Sequence, residues 1–216
     1  MFNDNTFEVI GLNELCDVRD GTHDSPKYLD SSKYKFITSK NIVGDSIDFS
    51  DCKYIKEDDF NKFNQRSKVN TGDILMPMIG TIGNPIIVNI PEDEIDFAIK
   101  NVALIKFNNS SKVTNVYIKS LLNSDFFENA ISQNKRGGTQ KFIALSDIRK
   151  IKVPVPPIEL QNKFAQIVEQ IDKQKFVNLK IFQLLGKKLK KWYNRIIDFV
   201  RSWNVYEIEF WFYYWY

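Results

Sequence analysis

The chain has 216 residues, 43% hydrophobic and 14% aromatic, with a formal net charge of +3. That is material for one ordinary domain plus an appendage, rich enough in apolar side chains to bury a core, and it excludes a disordered or low-complexity chain. The near-neutral total conceals an uneven distribution: residues 1–60 carry 13 acids and 7 bases, whereas residues 173–201 carry 9 Lys and Arg against the single acid Asp198. The back of the chain therefore presents a local anion-attracting surface. Cys16 and Cys52 form no CxxC or Cys/His cluster and are expected to be reduced, as in a cytoplasmic protein. No 18-residue apolar run predicts a membrane span, and the opening residues show no basic-then-apolar secretory signal.

In chain order, short β-type runs recur at 35–38, 73–76, 85–88 and 102–107, punctuated by Gly, Asn, Asp and Pro. A helical stretch is predicted over 114–134, followed by a turn at Gly137 and Gly138 and an extended run ending at 150–153. Strands and helices do not alternate regularly, which argues for an irregular α+β domain over residues 1–154 rather than a doubly wound sheet. The character changes at Pro154-Val155-Pro156-Pro157. Three prolines in four residues fit neither a central strand nor a helix interior, but Pro157 suits the first turn of a helix.

Residues 155–200 then predict one long helix. Apolar positions step by four and three through Leu160, Phe164, Ile167 and Ile171, and again through Phe182, Leu185, Leu189, Trp192, Ile196 and Phe199. Between the two runs the seam passes through Gln174 and Asn178, and the step to Phe182 is a second consecutive four that breaks a strict heptad. A continuous helix of this extent is roughly 65 Å long. A seam of period near 3.5 on so long a helix calls for a partner helix, a coiled coil, with Phe164, Ile167, Ile171, Phe182, Leu185 and Leu189 as the pairing residues. The competing reading is an amphipathic helix folded back on its own domain. Gly186 weakens the helix by about 1 kcal/mol. The last segment, 201–216, ends in a run of aromatics from Phe210 to Tyr216. Exposed, such a run favours aggregation, and a truncated or frame-shifted reading frame is its preferred explanation.

Enzymatic constellations are missing from the sequence. The segment Gly80-Thr81-Ile82-Gly83-Asn84-Pro85 lacks the lysine of a phosphate loop, no GxGxxG turn is present, and a single histidine, His23, rules out multi-histidine zinc sites. No metal site and no resident cofactor are expected. What remains is a set of glycine turns, which let a backbone turn tightly or approach another surface closely. The turn at Gly137 and Gly138 is flanked by Lys135, Arg136, Thr139, Gln140 and Lys141. Lys and Arg neutralise phosphates, while Gln, Arg and Thr read base edges; taken alone, the turn equally reads as an ordinary turn with a solvated basic rim. Likewise an apolar run delivers Thr38-Ser39-Lys40-Asn41 at a strand end, a cluster that equally suits a turn or cap. Lys40, Thr38, Lys135, Arg136, Gln140 and Lys141 are the principal candidates for DNA contact, with Thr22, His23 and Thr81 behind them.

The order of these pieces resembles the specificity subunits of type I restriction–modification systems. Asp20-Gly21-Thr22-His23 is similar to that family's DGTH signature, and Phe36-Ile37-Thr38-Ser39-Lys40-Asn41-Ile42 to the segment that follows it. Gly72-Asp73-Ile74-Leu75, Gly80-Thr81-Ile82-Gly83 and Gly138-Thr139-Gln140 with Ile143 match further turns in the same order. Pro154-Val155-Pro156-Pro157-Ile158 with Gln161 resembles the opening of its spacer helix, with Leu160 where the commonest form has Glu. Each short motif is weak, and six in order are strong.

The resemblance implies a target-recognition domain over 1–154 and a spacer and dimerisation helix over 155–200. It implies a non-catalytic subunit that directs methyltransferase and endonuclease subunits to a bipartite site in double-stranded DNA. S-adenosylmethionine, Mg and ATP would belong to those partner subunits. The family's usual chain carries two recognition domains and two antiparallel helices, whereas this one carries one of each. A homodimer with two-fold symmetry would supply the missing helix. The alternative is a non-catalytic fragment that pairs with a full-length specificity subunit.

Overall fold

A computed structural model describes residues 7–80, 82–108, 111–132 and 142–202. The elements run β1 (Glu8–Gly11), α1 (Leu12–Leu15), β2 (Asp17–Asp20), β3 (Lys35–Thr38), β4 (Ile42–Val43), β5 (Ser46–Ile47), β6 (Lys53–Tyr54), α2 (Glu57–Ser67), β7 (Ile74–Pro77) and β8 (Ile86–Ile87). They continue through β9 (Phe97–Lys100), β10 (Val102–Lys106), α3 (Asn115–Leu122), α4 (Asp125–Ser132), α5 (Leu145–Arg149), β11 (Lys152–Val155) and α6 (Ile158–Ser202). The chain divides into two compact units, Met1–Ala165 and Gln166–Tyr216. The first holds the mixed α and β elements, and the described part of the second, up to Ser202, is helix α6.

Two sheets organise the first unit. One has the order β2-β10-β7-β8 with antiparallel neighbours, and the other β6-β3-β9 with β3 and β9 parallel. The sequence of β10 explains its place at the centre. Val102, Ala103, Leu104 and Ile105 are all fully buried, and strand geometry sends alternate side chains to opposite faces. Ala103 and Ile105 join Ile74, Met76 and Val18 in a core closed by residues of α1, α3, α5 and β11. Val102 and Leu104 join Leu75 and Ile86 in a second core, with Ile37, Phe97 and Ile99 of the other sheet. Beyond that sheet Phe36 and Ala98 pack on Phe63 of α2. The layers therefore run helices, sheet, sheet, helix.

Several boundaries differ from the sequence expectation. α2 falls where no element is predicted, because its sequence is polar. An acidic first turn, Glu57, Asp58 and Asp59, suits the helix dipole, and only Phe63 and Ser67 are buried. The single helix expected over 114–134 is broken at Asn123 and Ser124, where the Ser124 hydroxyl donates to Leu121 O at 2.6 Å. The extended run expected up to 150–153 is a short helix, α5, and only Lys152 and Val153 of that run's end are strand. α5 is clamped to β2 by Arg149, whose Nε and Nη2 both donate to Val18 O, at 2.9 and 2.7 Å. Pro154 sits in β11, which pairs with β1 in a two-stranded sheet and tolerates the missing N–H.

At the start of β7, Gly72 takes φ +87° and Asp73 is buried at 4% exposure. Asp73 accepts from Lys106 Nζ at 2.6 Å and from Asn70 N at 2.8 Å. Lys106 also donates to Asn70 Oδ1 and Lys68 O. Burial holds the Asp73 carboxyl above its ordinary range, against the opposing pull of Lys106 and the Asn70 N–H. An acid raised in this way contributes stability that is present at low pH and lost as pH rises through its folded pKa. Lys106→Met removes the main opposing charge and raises Asp73 further. The expected cost is about 3 kcal/mol near neutral pH, shrinking as pH falls toward about 4; urea denaturation at both pH values measures it. An equal cost at both would sink this assignment.

Cys16 and Cys52 are free and buried, and burial pushes the Cys16 thiol up to about 12. Among the described residues, no helix is long and apolar enough to cross a membrane, and no group of three or more His, Cys, Asp or Glu is placed to hold a metal.

Candidate nucleic-acid interface

The register of the two sheets brings several turns to one end. β2 ends at Asp20 opposite Ala103, near the start of β10, and β7 ends at Pro77 opposite Val102. β3 and β9, being parallel, end together at Thr38 and Lys100. The turn after β2, the turn after β3, the loop after β7 and the β9–β10 turn at Asn101 therefore lie at the same end. The Gly72-Asp73 turn lies at the opposite end, with the ion pair to Lys106.

The segment Asp20-Gly21-Thr22-His23 is threaded between strands. Gly21 N donates to Val102 O at 2.9 Å and Thr22 N to Ile99 O at 3.0 Å. A Cβ on Gly21 would stand 2.3 Å from Ile99 O and 2.5 Å from Ile99 C, so only glycine fits. The Asp20 side chain is 7% exposed and takes the Arg66 guanidinium on Oδ1, while His23 Nε2 stands 2.9 Å from Oδ2. His23 Nδ1 lies 2.6 Å from Asn101 Oδ1. The Thr22 hydroxyl accepts from Asp24 N at 3.0 Å. His23 is itself exposed, held from behind by Asp20 and Asn101.

At the end of β3 the chain makes a 3-10 turn, Ser39–Asn41. Asn41 is buried; its Oδ1 accepts from Thr38 N and from the Thr38 hydroxyl, both at 3.0 Å, and its Nδ2 donates to Asp48 O at 3.2 Å. Ser39 Oγ donates to Asn101 O at 3.2 Å. Thr38 thus has its hydroxyl engaged in shaping the turn, and Lys40 is exposed at its tip. Lys100 adds a cation beside it, donating to Ser25 Oγ at 2.6 Å.

The loop after β7 holds Gly80 at φ +78° and Gly83 at φ +90°. At its base Ile79 bridges Phe142, and Ile143 N donates to Met78 O at 3.0 Å, so Phe142 and Ile143 meet this same end. Of the candidates read from sequence, Thr22, His23, Thr38 and Lys40 are brought together. Thr81, Lys135, Arg136, Gln140 and Lys141 lie outside the described residues, as does the aromatic run Phe210 to Tyr216. Sequence reasoning had Asp20 only as a motif residue without a role, and missed Arg66, Lys100 and Asn101. Asn101 had a signal, a turn residue between two apolar runs, whereas Arg66 is 46 positions from Asp20 and had none.

The opening of α6 belongs to the first unit. Gln161 is 1% exposed; its Oε1 accepts from Thr114 N, and its Nε2 donates to Lys112 O and Pro156 O, each at 2.9 Å. The Tyr117 hydroxyl donates to Pro154 O at 2.7 Å, and the Tyr117 ring meets Phe164 edge-on with centroids 6.3 Å apart. Further along, Ile167, Ile171, Phe182, Leu185 and Leu189 are 45–77% exposed.

Both ends of this arrangement, the turn cluster and the helix opening, fall within residues 4–183, which match the family described as the type I restriction modification DNA specificity domain. The chain belongs to this family. The specificity domain here is 25% identical over 193 residues to the type I restriction enzyme MjaVIII specificity subunit of Methanocaldococcus jannaschii, covering 88% of this chain and 45% of that protein. It is 28% identical over 108 residues to the EcoBI specificity subunit of Escherichia coli, covering 50% of this chain and 22% of the relative. The chain thus spans less than half the length of these curated relatives. In fold, it superposes on a chain of a type I restriction–modification system solved for its complex assembly, with TM-score 0.57, 18% identity, and coverage of 81% of this chain and 40% of that one. The HsdS subunit from Thermoanaerobacter tengcongensis gives TM-score 0.52 at 19% identity, covering 79% and 43%.

Proposed function

We propose that this specificity domain recognises a DNA sequence and performs no chemistry on it. In this reading it directs methyltransferase and endonuclease subunits to a bipartite duplex site. The observation that carries the reading is the gathering of the Gly21–His23, Ser39–Asn41, Gly80–Gly83 and Asn101 turns at one end of a two-sheet scaffold, in a chain of this family. Loops on a rigid scaffold are where binding residues concentrate. Thr22, His23, Thr38 and Lys40 face the duplex at that end, and Thr81, Lys135, Arg136, Gln140 and Lys141, outside the described residues, are proposed as further DNA contacts. S-adenosylmethionine, Mg and ATP are handled by the partner subunits, in the cytoplasm. The exposed seam of α6 supports pairing with a second copy, which sets two identical domains on inverted half-sites.

The deciding experiment assembles the chain with a methyltransferase subunit and maps the methylated sites on random duplex DNA. A bipartite motif with inverted halves is the expected result. Assembly without sequence preference would replace this reading with that of an interaction fragment. Single-residue tests use Lys40→Ala and Arg136→Ala. A base-reading side chain costs about 1–3 kcal/mol on the cognate site alone, whereas a phosphate contact weakens all sequences about equally and lowers the salt dependence. No change in either measurement would remove that side chain from the interface.

A further inference from the structure

We infer that Arg66 reads a guanine and that the buried Asp20 carboxylate orients it for that contact. This rests on the DNA recognition proposed above and names a reader that lies outside every motif of the turn cluster. Arg66 stands near the end of α2. Its side chain reaches the end of β2, where Nη2 donates to Asp20 Oδ1. The two partners differ sharply in exposure: the Asp20 side chain is 7% exposed and that of Arg66 63%. Among the described residues the guanidinium makes no other hydrogen bond. The rest of its N–H fork is therefore open to a ligand.

The buried acid decides between a phosphate contact and a base contact. A phosphate needs only a cation on a flexible stem, and a carboxylate beside it weakens the attraction. The neighbouring lysines suit that simpler task. Lys62, one helical turn before Arg66 on the same face, pairs with Asp24 at 3.1 Å, with side chains 66% and 60% exposed. Lys100 donates to Ser25 Oγ at 2.6 Å, also at the surface. Such exposed ties yield to a phosphate at little cost. Asp20 instead holds a guanidinium from a buried position, which fixes the plane of the fork. Guanine O6 and N7 are matched by a guanidinium in one set plane, and presetting it reduces the ordering that binding requires. The same carboxylate gives His23 a different part. Its Nε2 stands 2.9 Å from Asp20 Oδ2 and its Nδ1 2.6 Å from Asn101 Oδ1. Both ring nitrogens are engaged in either tautomer, so His23 has no hydrogen bond to offer a base. It is a positioning residue, which ties the β9–β10 turn to the carboxylate on which Arg66 rests.

The test uses the full chain assembled with a methyltransferase subunit, and maps methylated sites on random duplex DNA. It compares the parent with Arg66→Ala, Arg66→Gln, His23→Gln and the double variant His23→Gln/Arg66→Gln. Arg66→Gln retains a donor for Asp20, so the turn keeps a partner when the guanidinium is lost, and circular dichroism checks the fold of each. The expected parent motif has a guanine in each half whose preference falls about tenfold in both Arg66 variants, with the other positions unchanged. His23→Gln is expected to relax that same guanine and no other base, with no added effect in the double variant, because His23 acts through Asp20 on Arg66. An unchanged motif in both Arg66 variants makes Arg66 a structural tie, and equal weakening on all sequences makes it a phosphate contact. Either overturns this inference and leaves DNA recognition standing. A His23→Gln variant that relaxes a different base overturns the positioning role. A parent that shows no motif overturns both readings.

Discussion

Gly21→Ala is expected to lower the stability of the first unit by about 4 kcal/mol, from overpacking and broken ladder hydrogen bonds. The added Cβ meets the carbonyl of Ile99 at 2.3 Å, and the atoms it meets are backbone, so no side chain can swing aside. Either Ile99 moves, and the Thr22 N–H loses its acceptor, or the turn lifts and Gly21 N loses Val102 O. The first breaks a join between the two sheets, and the second the end of the β2–β10 ladder. The lifted turn also draws His23 from Asp20 and Asn101, so duplex affinity falls even where the fold survives. Urea denaturation followed by circular dichroism measures the first effect and a binding isotherm the second. Stability within 1 kcal/mol of the parent would show that the strands do not approach as closely as described.

Gln161→Leu carries an expected cost of similar size. Leucine fills the space but leaves Thr114 N, Lys112 O and Pro156 O without the partner that the buried Gln161 amide gives them. Each such group costs about 1–3 kcal/mol, which gives about 4 kcal/mol in total. Thr114 is also the cap of α3, its hydroxyl accepting from Tyr117 N, so the damage is felt at the start of that helix as well as of α6. Amide exchange at Thr114 should accelerate by the factor that the stability loss dictates. Unchanged exchange there, with a normal melt, would mean that Gln161 is held by packing alone.

The apolar strands were legible because burial on both faces leaves a run with few polar letters. β3, β7 and β10 stand within a residue or two of their predicted positions. α2 was not legible, since a helix that buries Phe63 and Ser67 has almost no periodic signal to give. The break at Asn123 and the helix at Leu145–Arg149 escaped for another reason: both are decided by bonds to distant or local backbone, not by pattern. At the candidate interface the motifs were visible as letters, but their roles divide by end. Asp73 is a buried structural anion, whereas Asp20 holds a surface histidine. Gln161, visible only as part of a helix opening, is the internal bolt of that helix.

β10 gives alternate side chains to two cores, and this has a consequence for how the domain melts. Neither core opens alone, because the strand that lines one lines the other, and prying either face loose exposes two of its four fully buried residues. The two sheets are therefore one cooperative block, whose amides exchange only with global unfolding. The turns at its end are anchored in the slowest-opening part of the molecule. A ligand that binds there does not have to work against breathing of the scaffold beneath.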